Sequence, residues 1–446
     1  MNPEQLVERI WARDPTVWTG GDEAHWLGWL DEPVRIPDRF QWVEDARPQF
    51  DSFVLLGMGG SSLAPEVLRR TSGADAFHVL DTTHPRAIRR LEESLDLART
   101  LFVVSSKSGT TLETRSHLDY FWERAGKRGE RFVAITDPGS ELEALARERG
   151  FRTVVAGEPT IGGRYSALSP FGVVPAALIG VDLPRLRERA LEMAEACRGS
   201  DSPGLELGLQ LGRGWQDGRD KVAIRPNPGG FGLWAEQLIA ESTGKNGKGL
   251  IPAPGESPDG PDRQLAEVRI EDPYALGAEL FRWEFATAVA GSILGINPFD
   301  QPDVQAAKDA TNEVLAAGGD PDIEPKGSLE ELLALAGPGD YVAIQAFVDP
   351  AREAGLEPLA DRIRAETGCV VTVGLGPRYL HSTGQLHKGG PPSVLALQVV
   401  DDPGEELKIP GRKFGFARLI RAQAAGDYAS LEQRGRRVAR IRLEDM

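Results

Sequence analysis

The sequence predicts an α/β protein whose parallel sheets carry helices on both faces. Short apolar runs of strand length alternate with helix-like segments along most of the chain, and this alternation is typical of doubly wound sheets. The predicted strands of a first unit are residues 52–56, 76–81, 101–104, 131–137 and 153–156. Those of a second unit are residues 221–226, 341–347, 370–373 and 394–400.

Helical segments follow most of these strands. The predicted helices are residues 63–70, 85–98, 141–150, 232–244, 278–294 and 414–425, with a further helix-like run after residue 111. The acidic, proline-rich stretch 252–263 predicts an exposed loop.

Turn-forming residues at 196–204 interrupt the helical periodicity and predict a domain boundary. The tryptophan-rich N-terminal region predicts an extension that packs on a core. We therefore expect an N-terminal extension at 1–45, a first domain at 46–198 and a second domain at 199–446.

The composition argues against several classes of protein. The 446-residue chain carries 67 acidic and 51 basic residues, a net charge of -16 that disfavours nucleic acid or an anionic membrane as main partner. Two cysteines are too few for a disulfide framework and suit a reducing compartment. There is no signal-peptide pattern, and no apolar run approaches the roughly 20 residues that span a bilayer. We expect a soluble cytoplasmic protein.

A polar stretch follows the third predicted strand. Residues 105–111 contain five hydroxyl side chains, one lysine and one glycine. In a parallel sheet this turn lies at the carboxyl end of a strand, where ligands bind. Backbone N–H groups, hydroxyls and the N-terminus of the next helix can together hold an anion such as phosphate. The alternative is a polar loop that only caps that helix.

A glycine-rich turn, residues 57–62, follows the first predicted strand. It lacks the G-x-G-x-x-G spacing of a dinucleotide site, since Ser62 occupies the third glycine position, and it lacks the Gly-Lys-Ser/Thr of a Walker A loop. The glycines either let backbone approach a sugar or serve tight packing.

Two charged residues are candidates for chemistry. Arg164 follows two glycines, and an arginine suits an oxyanion because it stays charged and donates in a planar fork. Glu241 lies in the last turn of a predicted helix, where the helix dipole disfavours an anion, so a general base is one interpretation. The alternatives are a surface arginine after a turn and a solvated glutamate beside Lys245.

Two later segments add further candidates. Gln301 lies at the start of a predicted helix that begins near Pro302, and Lys308 follows two turns later, so both can reach one cleft. An ordinary capped helix with a solvated lysine is the alternative. His381 and His387 are six residues apart, which is poor spacing for metal ligands, and we predict no metal site.

Taken together, these motifs resemble the glucose-6-phosphate isomerase family over about residues 50–310. The matching segments are 57–62, 106–111, 162–166, 241–245 and 299–302, together with Lys308. The His381 segment resembles most closely the isomerase half of bifunctional transaldolase/glucose-6-phosphate isomerase proteins.

The resemblance implies two sugar isomerase (SIS) domains, each an αβα sandwich, with the active site between them and usually a homodimer. It implies reversible isomerisation of glucose 6-phosphate and fructose 6-phosphate without metal, nucleotide or other cofactor. A dual glucose/mannose 6-phosphate isomerase and a non-catalytic sugar-phosphate-binding protein are the alternatives. A transaldolase half accompanies related fusion proteins, so this chain is either free-standing or an excised half.

The resemblance also implies roles for single residues. Glu241 would move the proton between C2 and C1 through a cis-enediol, Arg164 would stabilise the enediolate, and Lys308 with His381 would open the sugar ring. The implied substrate- and phosphate-binding residues are Gly60, Ser61, Ser106, Lys107, Ser108, Thr111 and Gln301.

The order of the motifs departs from the usual family pattern. In the more usual members the ring-opening histidine precedes the Gln/Lys segment, whereas His381 follows it and no histidine lies between Glu241 and Lys308. The second domain would then bring His381 to the site through another connection. His387 is the alternative ring-opening residue.

Overall fold

The computed structural model describes residues 2–446, except the side chains of residues 304–308. Within the described residues the named strands form three parallel sheets. The strands are β1 Ser52–Leu56, β2 Phe77–Leu80, β3 Thr100–Ser105, β4 Phe132–Thr136, β5 Thr153–Ala156, β6 Lys221–Arg225, β7 Ile251–Pro254, β8 Arg263–Glu267, β9 Tyr341–Phe347, β10 Val370–Leu375, β11 Val394–Val400 and β12 Arg437–Arg442. The mainly parallel α/β architecture predicted from the sequence is confirmed.

The helices lie mainly in the connections between these strands. They are α1 Pro3–Trp11, α2 Glu32–Arg35, α3 Gln41–Ala46, α4 Leu63–Ser72, α5 Pro85–Glu93, α6 Leu112–Arg124, α7 Glu141–Glu148, α8 Pro170–Ile179, α9 Leu183–Ala196, α10 Pro203–Gln216, α11 Gly232–Thr243, α12 Ala275–Leu294, α13 Val304–Ala317, α14 Leu329–Leu333, α15 Glu357–Thr367, α16 Gly384–Gly389 and α17 Phe416–Gln433. Among the residues described, no helix has the length and apolar character needed to cross a membrane.

The first sheet has the strand order β2-β1-β3-β4-β5. Its strand order reverses between β1 and β3, and such a switch point opens a crevice at the carboxyl ends of the two strands. Leu56 of β1 lies beside Val104 of β3 in the register, so the loops after these two strands border one crevice. These loops carry two of the motifs singled out in the sequence, residues 57–62 and 106–111.

The second half of the chain differs from the single sheet expected there. Its strands divide into a four-stranded sheet, β10-β9-β11-β12, and a three-stranded sheet, β7-β6-β8. The expectation of one exposed loop at 252–263 is wrong at both ends, because residues 252–254 belong to β7 and Arg263 begins β8. Prolines at positions 252 and 254 are tolerated because β7 is an edge strand.

Contacts made by helices join the N-terminal region to the two halves of the chain. In the N-terminal region, Trp18 donates its indole N–H to the carbonyl of Ala288 on α12 at 2.8 Å. At the other end of the chain, Phe416 of α17 stacks on His117 of α6, so the C-terminal helix packs against the first sheet's layer. Helices α9 and α10 flank the expected boundary near residue 198 and both pack on α12. The domain division therefore stays a prediction.

A pair of buried acids lies beneath the N-terminal region. Glu284 of α12 is 1% exposed and its Oε1 has no hydrogen-bond partner among the described residues. Burial, together with the nearby charge of Glu32, raises the pKa of Glu284 well above its usual range. Glu32 is itself buried next to Arg35, and burial raises its pKa from 4.5 to about 7. Both acids are therefore protonated more readily in the native state than in the unfolded chain.

We expect the contribution of Glu32 to the free energy of unfolding to fall as pH rises from about 5 to 8. The native state keeps the Glu32 proton up to about pH 7 while the unfolded chain releases it near pH 4.5, so the native state binds more protons in this window. A pKa difference of this size changes the free energy of unfolding by about 3 kcal/mol. Urea unfolding at pH 5.5 and pH 8 measures the loss, and Glu32→Gln should reduce it. The exposed Glu8→Gln is the control, and an unchanged pH slope in Glu32→Gln would contradict this assignment.

Candidate active site

The loop after β3 folds around its own hydroxyl groups. The Ser106 hydroxyl lies 3.1 Å from that of Thr111 and accepts the N–H of Gly109 at 3.2 Å. Gly109 has φ +72°, and a Cβ there would lie 2.7 Å from the backbone nitrogen of Leu142, so only glycine fits. Thr111 stands at the N-cap of α6 but its side chain makes no capping hydrogen bond. The loop is therefore not a simple cap, and the helix N-terminus stays available to an anion.

The lysine of this loop is already paired. Lys107 binds the carboxylate of Asp137, which follows β4, and donates to the carbonyl of Glu158 at 3.0 Å. Ser108, by contrast, is exposed and its hydroxyl lies 3.0 Å from that of Thr110. The exposed hydroxyl of Ser108 is thus open to a ligand, whereas the lysine charge is shared with a protein carboxylate.

The glycine turn after β1 is where distant parts of the chain meet. A Cβ on Gly59 would lie 2.6 Å from the carbonyl oxygen of His381, and one on Gly60 would lie 2.0 Å from that of Gly163. These contacts account for the glycines by close packing, which was one of the two interpretations left open. Sugar contacts by Gly60 and Ser61 stay predictions. The packing brings three sequence motifs together at one point.

Arg164 is the central cation of this cluster. It is only 1% exposed, which rules out the interpretation as a surface arginine. Its guanidinium donates to Ser242 Oγ, Gln301 Oε1 and the carbonyl of Pro298, each at 2.8 Å. Its Nη1 also lies 3.4 Å from Oε1 of Glu241, so the guanidinium and the candidate base face each other.

Glu241 is held on its other side by an amide. Gln237, one turn earlier on α11, donates through Nε2 to Glu241 Oε2 at 3.0 Å and to the carbonyl of His381 at 2.8 Å. Its Oε1 is buried without a partner among the described residues. The Glu241 side chain is 13% exposed, so it is not the solvated surface glutamate of the alternative interpretation.

The lysine that follows Glu241 is structural. Lys245 is buried, donates to the carbonyl of Asn297 at 2.7 Å and pairs with Asp300. Burial and the nearby Arg164 charge lower the pKa of Lys245 to about 8. It fastens the end of α11 to the segment that carries Gln301.

His381 reaches the same cluster from the second half of the chain. Its Nε2 lies 2.9 Å from Oε1 of Glu113, a buried residue in the first turn of α6. Burial opposes ionisation of Glu113, but the charge and hydrogen bond of His381 outweigh it and lower the pKa of Glu113 to about 2. Glu113 is therefore an acceptor, and Nε2 carries the proton. Gln423 donates a second hydrogen bond to the same carboxylate oxygen at 2.7 Å.

His387 is enclosed instead. Its Nδ1 lies 3.1 Å from the hydroxyl of Tyr341 and its Nε2 lies 3.0 Å from that of Thr383. Burial, followed by the charge of Lys388, lowers the pKa of His387 to about 3. Both ring nitrogens are engaged inside the protein, so the geometry favours His381 of the two histidines.

For the segment after Phe299, the sequence predicted a helix that begins near Pro302 and a role for Lys308. The side chain of Lys308 lies outside the described residues. Helix α13 begins at Val304 rather than at Pro302, and its N-cap residue Asp303 makes no capping bond. Among the residues described, no group of three or more His, Cys, Asp or Glu side chains is arranged to hold a metal ion.

Sequence reasoning missed two residues of the cluster, Glu113 and Gln237. Gln237 stands four positions before Glu241, a spacing that puts both side chains on one helix face, so periodicity could have found it. Glu113 follows the hydroxyl-rich loop, but an acid in the first turn of a helix also has an ordinary stabilising role. Only the pairing with His381 distinguishes it.

The assembled groups suit proton transfer. A partly buried carboxylate faces a guanidinium that can stabilise a developing oxyanion, and an imidazole is oriented by an ionised carboxylate. The hydroxyl-lined loop and the N-terminus of α6 adjoin Glu113 and can take an anionic group.

Comparison with known proteins finds similar isomerases. The family profile described as "Phosphoglucose isomerase" matches residues 36–195. The glucose-6-phosphate isomerase of Carboxydothermus hydrogenoformans is 28% identical, with 66% of this chain and 86% of that protein covered. The glucose-6-phosphate isomerase of Thermus thermophilus is 37% identical over an aligned region that covers 37% of this chain and 42% of that protein.

A solved structure supports the same grouping at the level of fold. The crystal structure of a glucose-6-phosphate isomerase from Chlamydia trachomatis has a TM-score of 0.53 at 19% identity, covering 70% of this chain and 78% of that one. The chain is therefore similar to phosphoglucose isomerases over residues 36–195, and over about two thirds of its length to the glucose-6-phosphate isomerase of Carboxydothermus hydrogenoformans.

Proposed function

We propose that this protein interconverts glucose 6-phosphate and fructose 6-phosphate, the reaction for which its relatives are named. The observation that carries the proposal is the amide of Gln237, which joins the carboxylate of Glu241 to the backbone of His381. A proton-transfer base and a ring-opening group are thereby joined in one cluster. An aldose–ketose isomerase needs both.

The proton moves between C2 and C1 through a cis-enediol, with Glu241 as the base. Glu241 removes the proton from C2 of the open-chain aldose and returns it to C1, while a proton passes from O2 to O1. Negative charge develops on these oxygens in between, and the Arg164 guanidinium stabilises it. The 3.4 Å separation of Arg164 Nη1 from Glu241 Oε1 supports this role, since it puts the guanidinium beside the base that acts on C1 and C2.

Ring opening is the task of His381 and Lys308. Opening requires removal of the proton from the anomeric hydroxyl and delivery of a proton to the ring oxygen. The contact of His381 with the ionised Glu113 supports its role, because a neighbouring carboxylate stabilises the imidazolium that forms during the transfer. The role of Lys308 rests on the family resemblance.

The phosphate group is held by Ser106, Lys107, Ser108 and Thr111, while Gly60, Ser61 and Gln301 border the sugar. The exposed hydroxyl of Ser108 and the N-terminus of α6, which has no side-chain cap, support this binding mode. With Lys107 paired to Asp137, the hydroxyl and N–H donors carry most of the recognition. The protein is further proposed to be a cytoplasmic homodimer without nucleic-acid or membrane partner. Light scattering of the purified protein tests the proposed dimer.

Ser108→Ala is expected to raise KM about tenfold and to leave kcat within about twofold, because the hydroxyl binds the phosphate equally in ground and transition states. Steady-state kinetics with fructose 6-phosphate measures both constants. Ser94→Ala removes a surface hydroxyl bonded to the carbonyl of Leu91 and serves as control. A fall in kcat at unchanged KM would remove Ser108 from the phosphate site.

The deciding experiment follows fructose 6-phosphate conversion in protein treated with a chelator. A coupled dehydrogenase assay should record glucose 6-phosphate formation, and NMR in D₂O should detect deuterium at C2 of that product. Deuterium at C2 supports the enediol route, because a proton carried by the base can exchange with solvent whereas a hydride passed directly from C1 to C2 cannot. Absence of conversion with retained binding would favour the non-catalytic sugar-phosphate-binding protein. Formation of mannose 6-phosphate would favour the dual isomerase.

A further inference from the structure

The segment after β2 ties the two halves of the protein together beside His381. Asp81 accepts two hydrogen bonds from Arg378, with Nε at 2.8 Å and Nη2 at 2.9 Å. Arg378 is the first residue of the short helical turn Arg378–His381, called here the His381 turn. Asp81 is 3% exposed, so this bidentate ion pair lies largely out of solvent.

The same segment also reaches the carboxylate that binds the imidazole. The hydroxyl of Thr83 donates to Gln423 Oε1 at 2.7 Å, and Gln423 donates in turn to Glu113. Glu113 accepts from the His381 ring. The first half of the chain therefore holds the start of the His381 turn through one contact and its imidazole through another.

Asp81 is the main counter-charge of Arg378. Burial opposes the charge of the guanidinium, but the charge and hydrogen bonds of Asp81 outweigh it and hold the pKa of Arg378 above its usual range, with smaller contributions from Glu353 and Glu66. Glu353 is exposed, and Glu66 is already bonded to two other arginines. Neither can replace the two parallel hydrogen bonds from Asp81.

We propose that Asp81 is a positioning residue for ring opening, which acts through Arg378 to hold the His381 turn in register with Glu113. This inference rests on the proposed ring-opening role of His381. Because only two residues separate Arg378 from His381, a shift of the turn displaces the ring relative to both Glu113 and the bound sugar. Acid–base transfer is sensitive to displacements of this kind.

The test compares a closed-ring and an open-chain substrate. 5-Deoxyfructose 6-phosphate lacks the C5 hydroxyl that closes the furanose ring, so its isomerisation bypasses ring opening. Asp81→Asn keeps the size of the side chain but removes its charge. It is expected to lower kcat on fructose 6-phosphate about tenfold and to leave that on the open-chain analogue within about twofold. Arg378→Lys changes the other partner of the ion pair and retains its charge. It should show the same selective loss on fructose 6-phosphate, and it keeps the test available if Asp81→Asn fails to fold.

A second ion pair between the halves provides a matched control. Arg90 of α5 makes two hydrogen bonds with Asp349, at 2.7 and 2.6 Å, and Asp349 follows β9 rather than belonging to the His381 turn. Arg90→Gln should lower the melting temperature without a preference between the two substrates. Equal losses on both substrates in Asp81→Asn and Arg378→Lys, or the same selectivity in Arg90→Gln, would overturn the proposal.

His381→Ala separates this inference from the function on which it rests. A selective loss on fructose 6-phosphate in His381→Ala, without one in the Asp81 and Arg378 variants, would refute the positioning role alone. Equal losses on both substrates in His381→Ala would refute the ring-opening role of His381 itself. Selective losses in all three variants support both.

Discussion

Glu241→Gln is expected to lower kcat about 10³-fold, because the amide keeps the shape of the carboxylate but cannot accept a proton from carbon. Sugar-phosphate binding should persist, since the loop proposed to hold the phosphate lies in the first half of the chain and the amide oxygen can still face Arg164. Steady-state assays measure turnover, NMR in D₂O measures exchange at C2, and calorimetry measures binding. Exchange should fall with kcat while the dissociation constant changes little.

The matched control is Glu236→Gln on the same helix. Glu236 lines a cavity with Gln345, Thr372 and Arg378, and burial, opposed by the charge of Arg378, raises its pKa to about 8. The same chemical change there should leave turnover within about twofold. If Glu241→Gln retained more than a tenth of the wild-type kcat, another group would have to be the base.

The first sheet is the part of the fold that sequence pattern predicts best. Strands buried on both faces of a parallel sheet are continuous apolar runs, and the predicted strand at 52–56 matches β1 while the one at 101–104 lies within β3. The edge strands β12 and β7 lack this signature. β12 at Arg437–Arg442 mixes arginines with apolar residues and was not predicted. The prolines of β7 led to the prediction of a loop at that position.

The site shows the same contrast between local and distant information. Arg164 and Glu241 are each unusual in their local sequence. Arg164 follows two glycines, and Glu241 is an acid near a helix C-terminus, where the helix dipole disfavours it. Glu113 agrees with its local surroundings, since an acid is favoured at a helix N-terminus, and its partner His381 is 268 residues away. Sequence pattern finds residues that conflict with local structure and misses those whose role depends on a distant partner.

Arg164→Lys is expected to lower kcat about 10²-fold with little change in KM. Lysine keeps the positive charge but not the planar fork, so it cannot donate at once to Ser242, Gln301 and the backbone while facing Glu241. The charge on the enediolate would then meet a poorly placed cation. Because the loss arises only where that charge develops, kcat and kcat/KM should fall together in steady-state assays with either sugar phosphate.

Loss of stability must be separated from loss of catalysis, because Arg164 also fastens the segment around Pro298. Arg282 supplies the comparison: it is 2% exposed, pairs with Glu279 at 2.9 Å through Nε and lies on α12 outside the cluster. Arg282→Lys should reduce the free energy of unfolding by an amount similar to Arg164→Lys but leave kcat near the wild-type value. Equal kcat in the two lysine variants would show that the guanidinium at position 164 supports the fold and not the enediolate. A loss confined to Arg164→Lys fits only an arginine whose geometry serves the reaction.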